Sequence, residues 1–181
     1  MIAGDPNKFA VGIDVVSAWN DSSSVWQNGL FCMYLNGIAY PEPCTSSLNS
    51  ELPALLNSID SQGVPIINNS LFLENKEIVV EALLRATFPE DYSKANDYRY
   101  CISTYSMLDQ GIYIFALGNG FMVRIIVAKG IYDSDENSKY DLDTSTIDEV
   151  IVSTSEFHNV IDGIRQFCNH IIEESDRKAE N

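Results

Sequence analysis

Residues 110–117 and 121–129 are largely apolar, and Gly118-Asn119-Gly120 separates them. Runs of that length, apolar on both faces, belong in the middle of a sheet that is covered on both sides. Asn119-Gly120 tolerates the positive φ values of a tight primed turn, so the two runs are expected to form an antiparallel hairpin of core strands. Such a hairpin cannot stand alone. Its apolar faces need other layers, and the rest of the chain must supply them.

Helical periodicity supplies part of that cover. Phe157, Val160, Ile161, Ile164, Phe167, Cys168 and Ile171 recur at helical spacing behind Ser155, which predicts a helix over residues 155–174 and a frayed tail over 174–181. A second helix is predicted over 76–88, with Ile78, Val79, Ala82, Leu83 and Ala86 as its apolar stripe and Pro89 ending it. Glu81 and Arg85 form an i,i+4 pair on its solvated side. A third covers 48–59, capped by Ser47, with Leu52, Leu55, Leu56 and Ile59 inward and Pro53 tolerated near its start.

The amino-terminal third reads as β. Phe9, Val11, Ile13 and Val15 alternate with Ala10, Gly12 and Asp14, a half-buried pattern, and a second strand over 25–35 follows the turn residues 20–24 and closes near Asn36-Gly37. Further strands are expected over 98–104 and 150–152. The order is thus ββαα, βββ, α. It predicts one α+β domain over residues 1–181, with a mostly antiparallel sheet of about five to six strands and two or three packed helices.

The 26 acidic side chains against 11 basic ones leave a net charge of −15. Nucleic acid would be repelled, and a cationic partner would be attracted. No apolar run is long enough to cross a bilayer, and the opening MIAGDPNKFA has no basic, apolar leader pattern, so the chain is expected to stay in the cytoplasm. Cys32, Cys44, Cys101 and Cys168 show no CxxC spacing and read as reduced, mostly buried thiols.

Catalysis is not expected. The two histidines, His158 and His170, lie twelve residues apart on one predicted helix, on the order of 18 Å along its axis, and cannot share a metal or a proton. No nucleophile elbow, phosphate loop or zinc motif is present. Asp133, Asp135 and Asn137 match the opening of a calcium loop, but Ser138 and Thr144 stand where its glycine and closing glutamate belong. That stretch reads as a solvated acidic loop, with no cofactor.

What the stretch does offer is charge with aromatic rings. Tyr132, Asp133, Asp135, Glu136, Tyr140, Asp141 and Asp143, running on to Asp148 and Glu149, have Lys139 alone among them. Carboxylates that steer and pair with Lys or Arg, beside rigid tyrosines, suit a protein interface; an acidic connection between strands has the same composition. Glu90, Asp91 and Tyr92, with Asp97 and Tyr98 just beyond, form a smaller cluster of the same kind.

Gly4-Asp5-Pro6-Asn7-Lys8-Phe9-Ala10, leading into Ile13, and Trp26 followed by the unbroken run from Gly29 to Gly37 resemble the first two strands of the bacterial immunity protein 42 family. The resemblance implies a non-catalytic protein that binds and neutralises the toxic carboxy-terminal domain of a contact-dependent or polymorphic effector. A cationic nuclease, favoured as a ribonuclease, fits the charge, and a monomer in a one-to-one complex is the expected form. The competing readings are an acidic adaptor domain with no toxin and a hydrolase without familiar motifs.

Overall fold

The computed structural model describes residues 1–20, 26–42, 45–89, 91, 93–133, 139–142 and 146–179. In chain order, the elements begin with β1 (Ile2–Gly4), β2 (Phe9–Val15), β3 (Asn28–Leu35), β4 (Ile38–Tyr40), β5 (Thr45–Ser47) and α1 (Leu48–Gln62). They continue with β6 (Ile66–Ile67), α2 (Asn69–Phe72), α3 (Lys76–Thr87), α4 (Tyr105–Asp109) and β7 (Ile112–Gly118). The last are β8 (Met122–Asp133), β9 (Lys139–Leu142), β10 (Asp148–Ser153) and α5 (Thr154–Ala179). The class is α+β and mostly antiparallel, as the patterns predict, with the strands divided between two sheets. The chain separates into two compact units, Met1–Asn57 with Ser155–Asn181, and Ser58–Thr154.

In the first unit the sheet order is β1-β2-β3-β4, and β5 also pairs with β3. Phe9, Val11 and Ile13 stand opposite Leu35, Met33 and Phe31, so all six share one apolar face. Phe157 of α5 stacks on Phe9 with ring centroids 5.9 Å apart. The other face of β2 is buried as well. Ala10 and Gly12 are covered, and the Tyr34 ring lies so close to Gly12 that an added Cβ would meet it at 2.8 Å. β2 is therefore a central strand between β1 and β3, where alternation alone suggested half-burial.

The turn residues answer local steric demands. Gly4 has φ +100°, and a Cβ there would meet the Phe9 carbonyl at 2.5 Å and Val160 of α5 at 2.7 Å. Asp5 then closes the turn: its amide donates to the Phe9 carbonyl, its own carbonyl accepts from Lys8, and its carboxylate accepts from the Asn7 amide. At Gly29 a Cβ would lie 2.1 Å from the Asp14 carbonyl and 2.7 Å from Leu48. Asn36-Gly37 turns the chain, with Asn36 at φ 50°, but it joins β3 to β4 rather than β2 to β3.

The longer β2–β3 connection is fastened by a side chain. The Asn20 carboxamide donates to the Val16 and Asn28 carbonyls, both at 2.8 Å, and accepts from the Asn28 amide. Trp19 and Trp26, on either side of this fastening, are both exposed.

The second unit has sheet order β10-β8-β7-β6, with β9 also paired to β8. β6 is parallel to β7 and the other pairings are antiparallel. β7 is buried at all seven positions, as the doubly apolar pattern requires. Tyr113, Phe115 and Leu117 pack with Val79, Val80, Leu83 and Leu84 of α3. The stripe of α3 thus lies one residue later than predicted: Ile78 and Ala82 face solvent, and Val80, Leu84 and Thr87 are buried. The Glu81–Arg85 pair forms on the solvated side at 2.7 Å.

The β7–β8 turn uses Asn119 through its carboxamide, which accepts from the amides of Phe121 and Met122. Residues 98–104 do not form a strand. They run beside β7 through one bridge, Cys101 to Phe115, with Ile102 donating to Ile114 and Ala116 to Tyr100. α5 reaches Ala179, beyond the predicted frayed boundary, where the Arg177 guanidinium bonds the Glu173 carbonyl within the last turns.

Candidate partner-binding site

The acidic and tyrosine-bearing segment is partly a β-ribbon. β8 runs through Tyr132 and Asp133, β9 returns through Tyr140 and Asp141, and the register sets Tyr132 opposite Tyr140, Ile131 opposite Asp141 and Asp133 opposite Lys139. Two tyrosines and two aspartates thereby occupy adjoining register positions. Asp135, Glu136 and Asp143 of the same predicted site lie outside the described residues, as do Glu90 and Tyr92 of the smaller one.

β10 follows β9 along the same strand: residues 130–133 of β8 pair with β9, and residues 122–127 pair with β10. Here sequence counting misjudges the charge. Glu149 pairs with Arg124 of β8 at 2.6 Å. Arg124 is 5% exposed, and its Nη1 also donates to the Phe72 and Glu74 carbonyls at 2.9 and 2.7 Å. A guanidinium removed from water needs this full set of acceptors, so Glu149 is a structural counter-ion. The cation that satisfies it lies 25 residues earlier, out of reach of any local charge count.

The smaller cluster is similarly occupied in part. The Asp97 carboxylate accepts from Arg99 Nε and Nη2 at 2.8 and 2.7 Å, and this bidentate pair holds its pKa below the usual carboxylate range. Asp91 is exposed and accepts from the hydroxyl and amide of Ser93, which lowers its pKa. Tyr98 is anchored edge-on to Phe88. Of this cluster, Asp91 is the predicted contact whose carboxylate faces solvent.

His158 and His170 are both exposed on α5. Cys32, Cys101 and Cys168 are buried and in no disulfide, while Cys44 lies outside the described residues; burial pushes the Cys101 and Cys168 thiols up, away from the thiolate form. No group of three or more His, Cys, Asp or Glu is placed to hold a metal ion among the described residues. No described helix is long and apolar enough to cross a membrane.

No sequence pattern marks several large apolar side chains that the structure exposes. Leu73 and Phe121 are each 84% exposed, and Ile78 and Ile151 each 49%. Ile78 reads as core in the α3 pattern and Ile151 as an ordinary strand residue; only the rotated stripe of α3 and the edge position of β10 turn them outward.

Comparison with known proteins places these features in a family. The family model of Immunity protein 42 matches residues 1–167. Among solved structures, the crystal structure of CdiI from Burkholderia dolosa AUO158 is similar, with a TM-score of 0.72 and 21% identity, over 92% of this chain and 99% of that one. At that identity the likeness is one of fold. No curated protein matches the chain.

Proposed function

Because the chain belongs to the Immunity protein 42 family, and is an immunity protein rather than an enzyme, we propose that it neutralises a contact-dependent or polymorphic toxin by binding the toxic carboxy-terminal domain inside the cell that makes both. The surplus of 26 acidic over 11 basic side chains carries the choice of partner. A nuclease, and most simply a ribonuclease, presents a groove rich in Lys and Arg to its nucleic acid, and an acidic inhibitor complements that groove. Opposite charge also speeds capture, toward about 10⁸–10⁹ M⁻¹s⁻¹ at low salt.

The contacts on this reading are Tyr132, Asp133, Asp135, Glu136, Tyr140, Asp141 and Asp143, with Glu90 and Asp91 adding charge. An interface of about 1,600 Å² is enough for tight one-to-one binding. The test is calorimetric titration against the carboxy-terminal domain of the effector encoded immediately upstream, with toxin activity followed in parallel. Nanomolar one-to-one binding that abolishes activity is expected, and absence of binding overturns the reading. Reversing Asp135, Glu136, Asp141 and Asp143 together should weaken binding and flatten its salt dependence; unchanged affinity removes that contact set.

A further inference from the structure

We infer that the junction of α2 and α3, together with the adjoining edge strand β10, forms a docking surface for the cationic toxin domain; the inference rests on the immunity reading above. Three observations meet at this place. The first is apolar exposure: Leu73 ends α2, Ile78 lies in the first turn of α3 and Ile151 lies on β10, all outward. Surface leucines and isoleucines are common singly, but these three stand on elements that are bonded to one another.

The second observation is what holds them. Arg124 bonds the carbonyls of Phe72 and Glu74, the residues flanking Leu73, and Ile151 is the cross-strand partner of Arg124, so their side chains share a face of the sheet. Lys76 Nζ donates to the Ile147 carbonyl at 2.7 Å, which fastens the start of α3 to the residue before β10. The junction and the edge strand form one braced surface. Its basic groups are turned inward onto carbonyls and Glu149.

The third is the charge left outside. Glu74 and Glu77 are exposed beside Leu73 and Ile78, and neither is paired with a cation among the described residues. Apolar anchors rimmed by free carboxylates match a partner whose surface carries Lys and Arg around apolar pockets. β8 pairs with β10 at residues 122–127 and with β9 at residues 130–133, so the two proposed contact regions use different stretches of that strand.

Phe121 supplies an internal control, since it is as exposed as Leu73 but sits in a turn with Gly118, Asn119 and Gly120 and no carboxylate. The experiment titrates the upstream effector's carboxy-terminal domain with the wild type, with Leu73→Ser plus Ile78→Ser, with Glu74→Lys plus Glu77→Lys, and with Phe121→Ser. Thermal melts confirm that each variant is folded, as expected for substitutions at exposed positions.

The apolar double variant should bind at least about tenfold more weakly, the charge-reversed variant should bind more weakly with a shallower salt dependence, and Phe121→Ser should bind as the wild type does. Wild-type binding with either double variant unaffected overturns the surface while leaving the immunity reading intact. Loss in Phe121→Ser equal to that in the apolar variant overturns it too. Failure of the wild type to bind removes both.

Discussion

In the unit built on β2 and β3, the residues that carry the sequence resemblance solve local steric problems: Gly4 admits a backbone turn under α5, Gly29 leaves room for the Asp14 carbonyl, and Asp5 ties its own turn shut. In the unit built on β7 and β8, the corresponding strands are apolar without a recognisable signature, and the distinctive residues are those left on the surface: Leu73, Glu74, Glu77, Ile78 and Ile151. A motif fixed by backbone geometry can identify a fold and say nothing of its partner. The residues proposed to choose the partner are free to vary because the core does not depend on them.

Substitutions can break this division of roles. The largest effect is expected at Gly29→Ala. Overpacking costs about 1–3 kcal/mol, and here the obstacle is a main-chain carbonyl 2.1 Å away, so the loss should fall at the upper end in denaturant titration. Affinity of the folded fraction for toxin should not change; a selective loss of binding would put the partner contacts in this unit after all.

Glu149→Gln tests whether the brace is structural. The Arg124 side chain keeps its two carbonyl acceptors but loses its counter-charge, at a cost of about 2 kcal/mol, read as a melting temperature several degrees lower. An unchanged melting temperature would show that the α2–β10 surface is not held as described.

The smallest effect is expected at Asp97→Asn. Because Arg99 depresses the folded pKa of Asp97, its stabilisation is present above the unfolded value of about 3.9 and is lost as pH falls through the folded value. Wild type and variant should therefore differ slightly in melting temperature at neutral pH and converge in strong acid. The partner Arg99 is exposed, so a large difference would contradict a surface pair.

Long periodic elements were legible in the sequence because one residue pattern and one local period define each. The β7–β8 hairpin, α1, α3 and α5 all belong to this group. The α3 stripe was misplaced by one position because Ile78-Val79-Val80 offers three consecutive apolar residues, and only the packing of Val80 against β7 decides which of them turns inward. β4, β5 and β6 have two or three residues each, too short for any period to register, and they exist because a neighbouring strand offers an edge. α4, five residues long, is likewise too short for a helical period to show.

The candidate site was legible as composition and much less so as charge balance. Tyr132 and Tyr140 look merely nearby in the sequence, and the ribbon sets them opposite each other. Asp97 and Glu149 look available, and Arg99 and Arg124 occupy them. An ion pair across a sheet joins residues whose separation along the chain follows no rule, whereas an i,i+4 pair such as Glu81–Arg85 is fixed by the helix itself.

Both tryptophans of the chain, Trp19 and Trp26, belong to the unit that holds β2 and β3, and the other unit has none. Their fluorescence therefore reports directly on one unit, while far-ultraviolet circular dichroism reports on the helices and strands of both. Without any added label, the molecule provides two spectroscopic clocks for its own unfolding. If they keep the same time through a denaturant titration, the chain behaves as one cooperative body; if they diverge, the Trp-free unit has a stability of its own.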